Sequence, residues 1–173
     1  MKKIVISYSL TGNNEALASS IAKEISAQHI KISELNKRTI GTIAFDMMFN
    51  RVPKVEPDYN VLENYDLIIF CGPVWMGSVA APLRKYLKYI KSNPCKYIYV
   101  SISGGADGEN PRLISDLEKR AGIRPVEVVD MHIVDLLPND PKPTRDDTSK
   151  YTLNETDVKK LTDIVLKRIS EFI

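Results

Sequence analysis

Short apolar runs alternate with longer amphipathic segments along this chain. Five of the runs have the length of β-strands, and the run at 66–72 shows no alternation between apolar and polar positions. An unbroken apolar run predicts a strand that is buried on both faces, as in a parallel sheet covered on both sides. The predicted strands are KIVISY (3–8), HIKI (29–32), DLIIFCG (66–72), KYIYVSI (96–102) and VEVVDMHIV (126–134).

The segments between these strands have apolar residues at helical spacing. Pro82 suits a first helical turn, Asn110 and Asn154 are predicted caps, and Gly122 is predicted to end a helix. The apolar stripes are Leu17, Ala18, Ile21, Ala22 and Ile25; Leu83, Tyr86, Leu87 and Ile90; Leu113, Ile114 and Leu117; and Val158, Leu161, Val165 and Ile169. Strands that alternate with helices predict an α/β fold, in which a doubly wound parallel sheet has helices on both faces. The length favours one domain over 1–173.

Composition and charge exclude several classes of function. Hydrophobic residues make up 43% of the chain, charged residues 27%, and the net charge is +2, which gives no footprint for nucleic acid. No apolar run approaches the roughly 20 residues that cross a bilayer. Cys71 and Cys95 form no disulfide framework and have no partner at metal-ligand spacing. We therefore expect a cytoplasmic protein without a membrane span, a nucleic-acid partner or a bound metal.

The loop SLTGNN (9–14) joins the first strand to the first helix. The free N–H groups and the dipole at a helix N-terminus favour an anion, and Gly12 allows a tight backbone curl. Its neutral side-chain donors are Ser9, Thr11, Asn13 and Asn14. They suit a phosphate, but the same residue types also form ordinary helix caps, so both interpretations stay open. A nucleoside-triphosphate loop is excluded because its lysine is missing.

Two further loops follow strands of the predicted sheet, where ligands of doubly wound folds bind. GPVWMGSVAAP (72–82) contains Trp75, which is suited either to stacking on a flat ring or to plugging the edge of the core. SISGGADGENP (101–111) has paired glycines, which allow close backbone approach, and Asp107 and Glu109 as acceptors; a plain turn is the alternative. Together the three loops suit a mononucleotide with a planar head group.

These motifs resemble those of the flavodoxin family. In that family the pattern T/S-x-T-G-x-T holds the phosphate of FMN, and it is similar to Ser9, Leu10, Thr11, Gly12, Asn13 and Asn14, with Asn14 in place of the last threonine. The segment Pro73, Val74, Trp75, Met76 and Gly77 resembles the family's loop that borders the isoalloxazine ring of FMN. The loop on the other side of the ring resembles Ser103, Gly104, Gly105, Ala106 and Asp107. The resemblance implies FMN as cofactor and a flavodoxin-like five-stranded parallel sheet in the order 2-1-3-4-5.

The resemblance implies redox chemistry performed by the flavin, so no side chain is predicted to be catalytic. One function is electron transfer between redox partner proteins. The alternative is an FMN oxidoreductase that takes hydride from NAD(P)H and reduces a quinone or similar small acceptor. Electron-carrier flavodoxins are usually markedly acidic, which helps them dock on basic partners, and the net charge of +2 lacks that signature. A flavin-free scaffold with the same fold is a third interpretation.

The segment TIGTIAFDMMFNR (39–51) is apolar around most of a helix. One face is predicted to pack in the core, and it consists of Ile40, Ile43, Ala44, Met47 and Met48. Phe45 and Phe49 lie on a second face, for which a homodimer contact and a cover over the flavin are both open.

Two predictions concern residues outside these motifs. His29 and His132 lie on strand patterns with no paired acid or nucleophile visible, which favours structural roles. The polar stretch 136–155 is predicted to be a long loop before the last helix, and loops of that length often border a functional site or a partner.

Overall fold

The computed structural model describes residues 1–35 and 39–173, and within them five strands form one parallel sheet. These strands are β1 (Lys3–Ser7), β2 (Gln28–Lys31), β3 (Leu67–Cys71), β4 (Lys96–Ser103) and β5 (Glu127–His132). Their spatial order is β2-β1-β3-β4-β5, and each neighbouring pair is parallel. The predicted sheet and its order 2-1-3-4-5 are therefore confirmed.

Helices cover both faces of this sheet. They are α1 (Asn13–Glu24), α2 (Ile40–Met48), α3 (Arg84–Ser92), α4 (Leu113–Ala121), α5 (Arg145–Lys150) and α6 (Glu155–Ile169). The core on one face lies under α1 and α6, and the core on the other face lies under α3 and α4. Every residue of β3 is fully buried, as its unbroken apolar run predicts. No helix in the described part of the chain is both long and apolar enough to cross a membrane.

The predicted helix ends are confirmed at two positions and wrong at a third. Asn154 caps α6 by accepting the N–H of Asp157 at 2.9 Å, and Gly122 ends α4 with a φ of +72°. Asn110 is not a side-chain cap, because α4 begins only at Leu113. The carbonyl of Asn110 instead accepts the N–H of Leu113, and its side chain is bonded elsewhere.

The predicted burial of α2 in the core is wrong. Ala44 and Met48 are exposed, and Ile43 and Met47 are only half-buried. The helix is held at its C-terminal end by the buried guanidinium of Arg84, whose Nη2 lies 2.8 Å from Sδ of Met47. An amphipathic pattern shows that a helix has apolar faces, but the element that covers each face depends on the tertiary structure. The side chain of Ile40 lies outside the described part of the structure.

The stretch 136–155 is not a continuous loop, because α5 forms inside it. Thr144 and Asp147 make a capping box, in which Thr144 Oγ1 accepts the N–H of Asp147 at 3.3 Å and Asp147 Oδ2 accepts the N–H of Thr144 at 2.8 Å. The pattern T-x-x-D at 144–147 is a sequence signal for a helix start, and it identifies α5. The helix lies beside the loop that follows β4.

Candidate functional site

The loop 9–14 leads from β1 into α1. Gly12 occupies the N-cap position with a φ of +92°, a left-handed conformation that favours glycine. Since glycine has no side chain, the N-cap residue itself gives the first N–H groups of α1 no hydrogen-bond acceptor from a side chain. Ser9 Oγ accepts the N–H of Asn14 at 3.2 Å, while Thr11 is exposed. The helix therefore presents backbone N–H groups and the Thr11 hydroxyl at its N-terminus, as an anion site requires.

Asn13 and Asn14 do not serve as the free donors predicted from the sequence. Both are buried, and each carboxamide bonds a backbone segment far along the chain. Asn14 donates to the carbonyl of Ile102 at 2.8 Å and accepts its N–H at 3.0 Å. Asn13 donates to the carbonyl of Tyr151 at 2.8 Å and accepts the N–H of Leu153 at 3.0 Å. Buried amides need such partners, so these side chains shape the loop rather than bind an anion.

The loop after β3 forms a hairpin, in which 74–75 pairs with 78–79. Its two turn residues, Met76 and Gly77, have φ angles of +52° and +76°. Positive φ at both positions is the geometry of a type I′ turn, which matches the twist of the flanking strands. The hairpin is tied to α4, because Asp116 Oδ2 accepts the N–H of Val79 at 3.0 Å. A fixed turn therefore holds the exposed Met76 at the sheet edge.

Trp75 packs against the core rather than standing free at the edge. Its ring meets the ring of Tyr8 edge-on, with 5.8 Å between centroids and an interplanar angle of 86°. Pro73 is buried, and its carbonyl accepts the hydroxyl of Tyr99 at 3.2 Å. The alternative in which the tryptophan plugs the core edge therefore matches its packing against Tyr8. A role for either residue in binding a ring stays a prediction.

A cavity of about 380 Å³ lies between the hairpin and the loop after β4. It is lined by Val74, Met76, Gly77, Arg145, Thr148 and residues 103–110. The structure thus brings eight of the predicted ring-binding residues together, namely Val74, Met76, Gly77, Ser103, Gly104, Gly105, Ala106 and Asp107. Among the described residues the lining does not include Pro73, Trp75 or the loop 9–14.

The paired glycines are required by packing within the protein. A Cβ at Gly104 would lie 2.9 Å from Oγ1 of Thr148, and one at Gly105 would lie 2.4 Å from Cβ of His132. Gly105 also has a φ of +77°, which L-residues rarely adopt. The sequence pattern predicts close approach of a ligand here, but the close neighbours in the structure are α5 and the end of β5. The cavity wall is therefore packed directly against α5 and β5.

Several residues at the site are not identified by the loop motifs. Arg145 and Thr148 of α5 line the cavity, and Arg145 Nε donates to Oδ1 of Asp107 at 2.8 Å. The capping-box pattern at 144–147 is the signal that points to this helix. These contacts confirm that part of the stretch 136–155 borders the carboxyl edge of the sheet.

The pKa values of the two histidines are shifted in opposite directions by their surroundings. His29 Nε2 lies 2.8 Å from Oγ of Ser7, and burial lowers the pKa of His29. The expectation that His132 has no paired acid is wrong, because its Nε2 lies 3.5 Å from Oδ2 of Asp130. The hydrogen bond with Asp130 raises the pKa of His132, and the nearby carboxylates of Asp135 and Glu109 add to this rise.

No protein-family model and no curated protein sequence matches the chain. Solved structures do match it. The flavoprotein from Lactobacillus acidophilus NCFM, solved in complex with FMN, is 24% identical with a TM-score of 0.61, over 75% of this chain and 92% of that one. A candidate flavoprotein from Bacteroides eggerthii DSM 20697 is 14% identical with a TM-score of 0.67, over 98% of each chain.

A flavodoxin from the domain Archaea is 17% identical, with a TM-score of 0.53 over 99% of this chain and 98% of that one. At such identities the similarity concerns the fold. The resemblance to flavodoxins seen in the loop motifs is therefore confirmed at the level of the fold, and this chain has the flavodoxin-like α/β fold.

Proposed function

We propose that this protein binds FMN at the carboxyl edge of its sheet and acts in electron transfer. The observation that carries the proposal is the double hydrogen bond between Asn14 and the backbone of Ile102. It fixes the open N-terminus of α1 next to the start of the loop that lines the cavity. An anionic group and a planar head group of one ligand need these two features side by side. The similar L. acidophilus protein was solved with FMN, which supports the choice of ligand.

The residues present fit FMN in their chemistry. The dianionic phosphate is matched by the backbone N–H groups at the start of α1 and by the hydroxyls of Ser9 and Thr11. The cavity of about 380 Å³ is within the range of small-molecule sites. Bound FMN supplies the capacity to accept and release one or two electrons. The chain's own contribution is to bind the phosphate, to orient the ring between the hairpin and residues 103–107, and to limit access of water.

Electron transfer between redox proteins is the first candidate activity, because the loops 9–14 and 73–77 carry motifs similar to those of the flavodoxin family. Reduction of a quinone or similar small acceptor by NAD(P)H is the second. The near-neutral balance of charge favours it, since a net charge of +2 lacks the overall acidity that helps electron carriers dock on basic partners. The exposed Met76 at the cavity rim, with 81% of its surface accessible, also leaves the ring side open to a small substrate.

One anaerobic experiment separates these activities. The pure protein is reconstituted with FMN, excess flavin is removed, and NADPH is added while the visible spectrum is recorded. Retained flavin that stays oxidised until a reductase or dithionite is added supports electron transfer with protein partners. Retained flavin that bleaches at once with NADPH supports the oxidoreductase. Failure to retain flavin, together with no binding in a direct titration, contradicts FMN binding altogether.

A pair of variants tests the phosphate site separately. Thr11→Val removes an exposed hydroxyl at the start of α1, and we expect it to weaken FMN binding about tenfold, the effect of one hydrogen bond to a charged group. Binding of riboflavin, which has no phosphate, should not change. Thr156→Val removes a similarly exposed hydroxyl on α6 and should leave both affinities at the wild-type value. Equal loss of FMN and riboflavin in Thr11→Val would contradict the assignment of the phosphate to this loop.

A further inference from the structure

A cluster of acidic groups around one histidine lies behind the wall of the proposed ring site. We call it the His132 cluster, and it comprises Glu109, Asn110, Asp130, His132 and Asp135. These residues, with Pro111, line a second cavity of about 350 Å³. Glu109 and Asn110 line both this cavity and the one assigned to the flavin ring. The His132 cluster therefore directly adjoins the proposed FMN site, and a change in the cluster can reach that site through Glu109 and Asn110.

The loop 103–110 is attached to β5 and the turn after it at both of its ends. At the first end, Gly105 packs directly on His132, and the carbonyl of Gly104 accepts the N–H of Val134 at 3.1 Å. At the second end, Nδ2 of Asn110 donates to Oδ2 of Asp130 at 2.9 Å. The position of the loop thus depends on the arrangement of the His132 and Asp130 side chains.

The imidazole nitrogen Nε2 of His132 lies between two groups of opposite hydrogen-bonding character. It is 3.4 Å from Nδ2 of Asn110, which donates, and 3.5 Å from Oδ2 of Asp130, which accepts. A neutral His132 with an unprotonated Nε2 accepts from Asn110, whereas a protonated His132 donates to Asp130. Both distances are at the outer limit for hydrogen bonds, so a gain or loss of the proton changes which contact tightens.

Carboxylates from three parts of the chain face this imidazole ring. Asp130 faces it from β5, Asp135 from the following turn with Oδ2 4.0 Å from Nδ1, and Glu109 from the loop. The buried Oδ1 of Asp130 has no hydrogen-bond partner among the described residues. A proton on His132 compensates this group of negative charges, and its loss leaves them to repel one another and an anionic ligand nearby.

We propose that His132 is a positioning residue for the flavin site, whose proton fixes the loop 103–110 on β5 and strengthens flavin binding. This inference rests on the proposed FMN site. Protonation adds a bond from Nε2 to Asp130 while Asn110 keeps its own bond to the same carboxylate. The loop is then held at both ends, and less ordering is needed when the ligand binds.

The test measures flavin affinity against pH by quenching of flavin fluorescence. Riboflavin is the main probe, because the phosphate of FMN itself titrates near pH 6 and would obscure the effect. For the wild-type protein we expect the dissociation constant of riboflavin to rise about fivefold between pH 5.5 and pH 8.5, in a step of one proton. His132→Gln keeps a polar side chain of similar reach but cannot titrate, and its dissociation constant should be independent of pH.

A second variant shifts the step instead of removing it. Asp130→Asn removes the carboxylate that raises the pKa of His132, so the pH dependence of riboflavin binding should move to lower pH. The wild-type protein also gives a direct measurement by NMR of its two histidines. Binding and protonation are linked reciprocally, so a fivefold coupling requires the pKa of His132 to rise by about 0.7 when flavin binds. His29 serves as the internal reference.

The outcomes separate this inference from the function on which it rests. If neither FMN nor riboflavin binds at any pH, the proposed FMN site is wrong and the inference fails with it. If both bind but wild-type affinity is independent of pH, or if His132→Gln keeps the wild-type step, only the role of His132 is wrong. A His132 pKa that does not respond to flavin contradicts that role as well, without the need for any variant.

Discussion

The carboxamide of Asn14 makes the two hydrogen bonds to the backbone of Ile102 that a further residue of a neighbouring strand would make. Strand β3 ends at Cys71, which pairs with Val100, and the N–H of Gly72 makes the next bond to the Val100 carbonyl at 3.0 Å. The chain then turns away at the hairpin, so the peptide groups of Ile102 lie beyond the last strand pair on that side. Asn14 bonds both of them, from 88 positions earlier in the chain. The start of α1 is thereby built into the sheet edge.

Removal of this amide should destabilise the fold. Asn14→Ala leaves a buried N–H and a buried carbonyl of Ile102 without partners, and each such group costs about 1–3 kcal/mol. We expect the free energy of unfolding to fall by about 2–4 kcal/mol, measured by urea denaturation of the flavin-free protein.

Thr11→Ala is the matched control for this measurement, because its side chain lies in the same loop but is exposed. We expect its free energy of unfolding to stay within about 0.5 kcal/mol of wild type. A similarly small change in Asn14→Ala would show that water or a rearranged loop satisfies Ile102, and would contradict the bracing role of Asn14.

Gly105 and Gly108 form a second matched pair in the loop after β4. Both have positive φ, at +77° and +95°, but a Cβ would meet a close neighbour only at Gly105, where it would lie 2.4 Å from Cβ of His132. Gly108→Ala should cost only the backbone strain, about 1–2 kcal/mol. Gly105→Ala should cost about 1–3 kcal/mol more, from overlap with His132.

Urea denaturation of both glycine variants gives the two costs, and their difference isolates the overlap. Equal destabilisation would mean that His132 moves aside freely. That result would contradict the close packing of the cavity wall on His132.

The sequence was sufficient to predict the sheet and the edge at which its polar loops gather. Adjacent parallel strands place their carboxyl ends together, so the loops after β1, β3 and β4 converge whatever their detailed conformation. The partners of Asn13 and Asn14 were beyond such reasoning. The peptide groups that these two amides bond lie at Ile102 and at 151–153. They lack backbone partners because of where the neighbouring elements end in the folded structure, which the sequence pattern does not show.

The pairing of His132 with Asp130 can be predicted from the sequence. Alternate residues of a strand share a face, so Asp130 and His132 on β5 point to the same side. The exposure of α2 cannot be predicted from the sequence, since the pattern of Ile43, Met47 and Phe45 is equally consistent with a buried and an exposed helix.

The two histidines should affect stability in opposite directions as pH changes. For His132 the pKa is raised above 6.5 in the folded state, so its stabilising contribution is complete below pH 6.5 and is lost as pH rises through the folded pKa. For His29 the pKa is lowered by burial, so its contribution is complete above pH 6.5 and is lost as pH falls towards the folded pKa.

Urea denaturation at pH 5.5, 6.5 and 8.5 checks these signs. His132→Gln should lose less stability than wild type between pH 6.5 and 8.5, and His29→Asn should lose less between pH 6.5 and 5.5. Each variant is the control for the other, because each should keep the wild-type change in the opposite range. A variant that alters both ranges equally would point to a general change in the fold.

Met76 is strained by its position in the type I′ turn. Its φ of +52° is unfavourable for a side chain of this kind, and 81% of its surface is exposed, so no packing offsets the strain. Asparagine tolerates this conformation and is favoured in such turns. We expect Met76→Asn to raise the free energy of unfolding by about 0.5–1 kcal/mol, measured by urea denaturation.

Met76→Ala is the control for the turn, because alanine removes the exposed side chain but keeps the unfavourable φ. It should give no gain in stability. The same pair of variants then tests the ring site: if the methionine side chain contacts flavin, both substitutions should weaken riboflavin binding, although only the asparagine variant is more stable. Equal stability of the two variants would show that the turn carries no strain at Met76, and unchanged riboflavin affinity in both would place the methionine outside the binding surface.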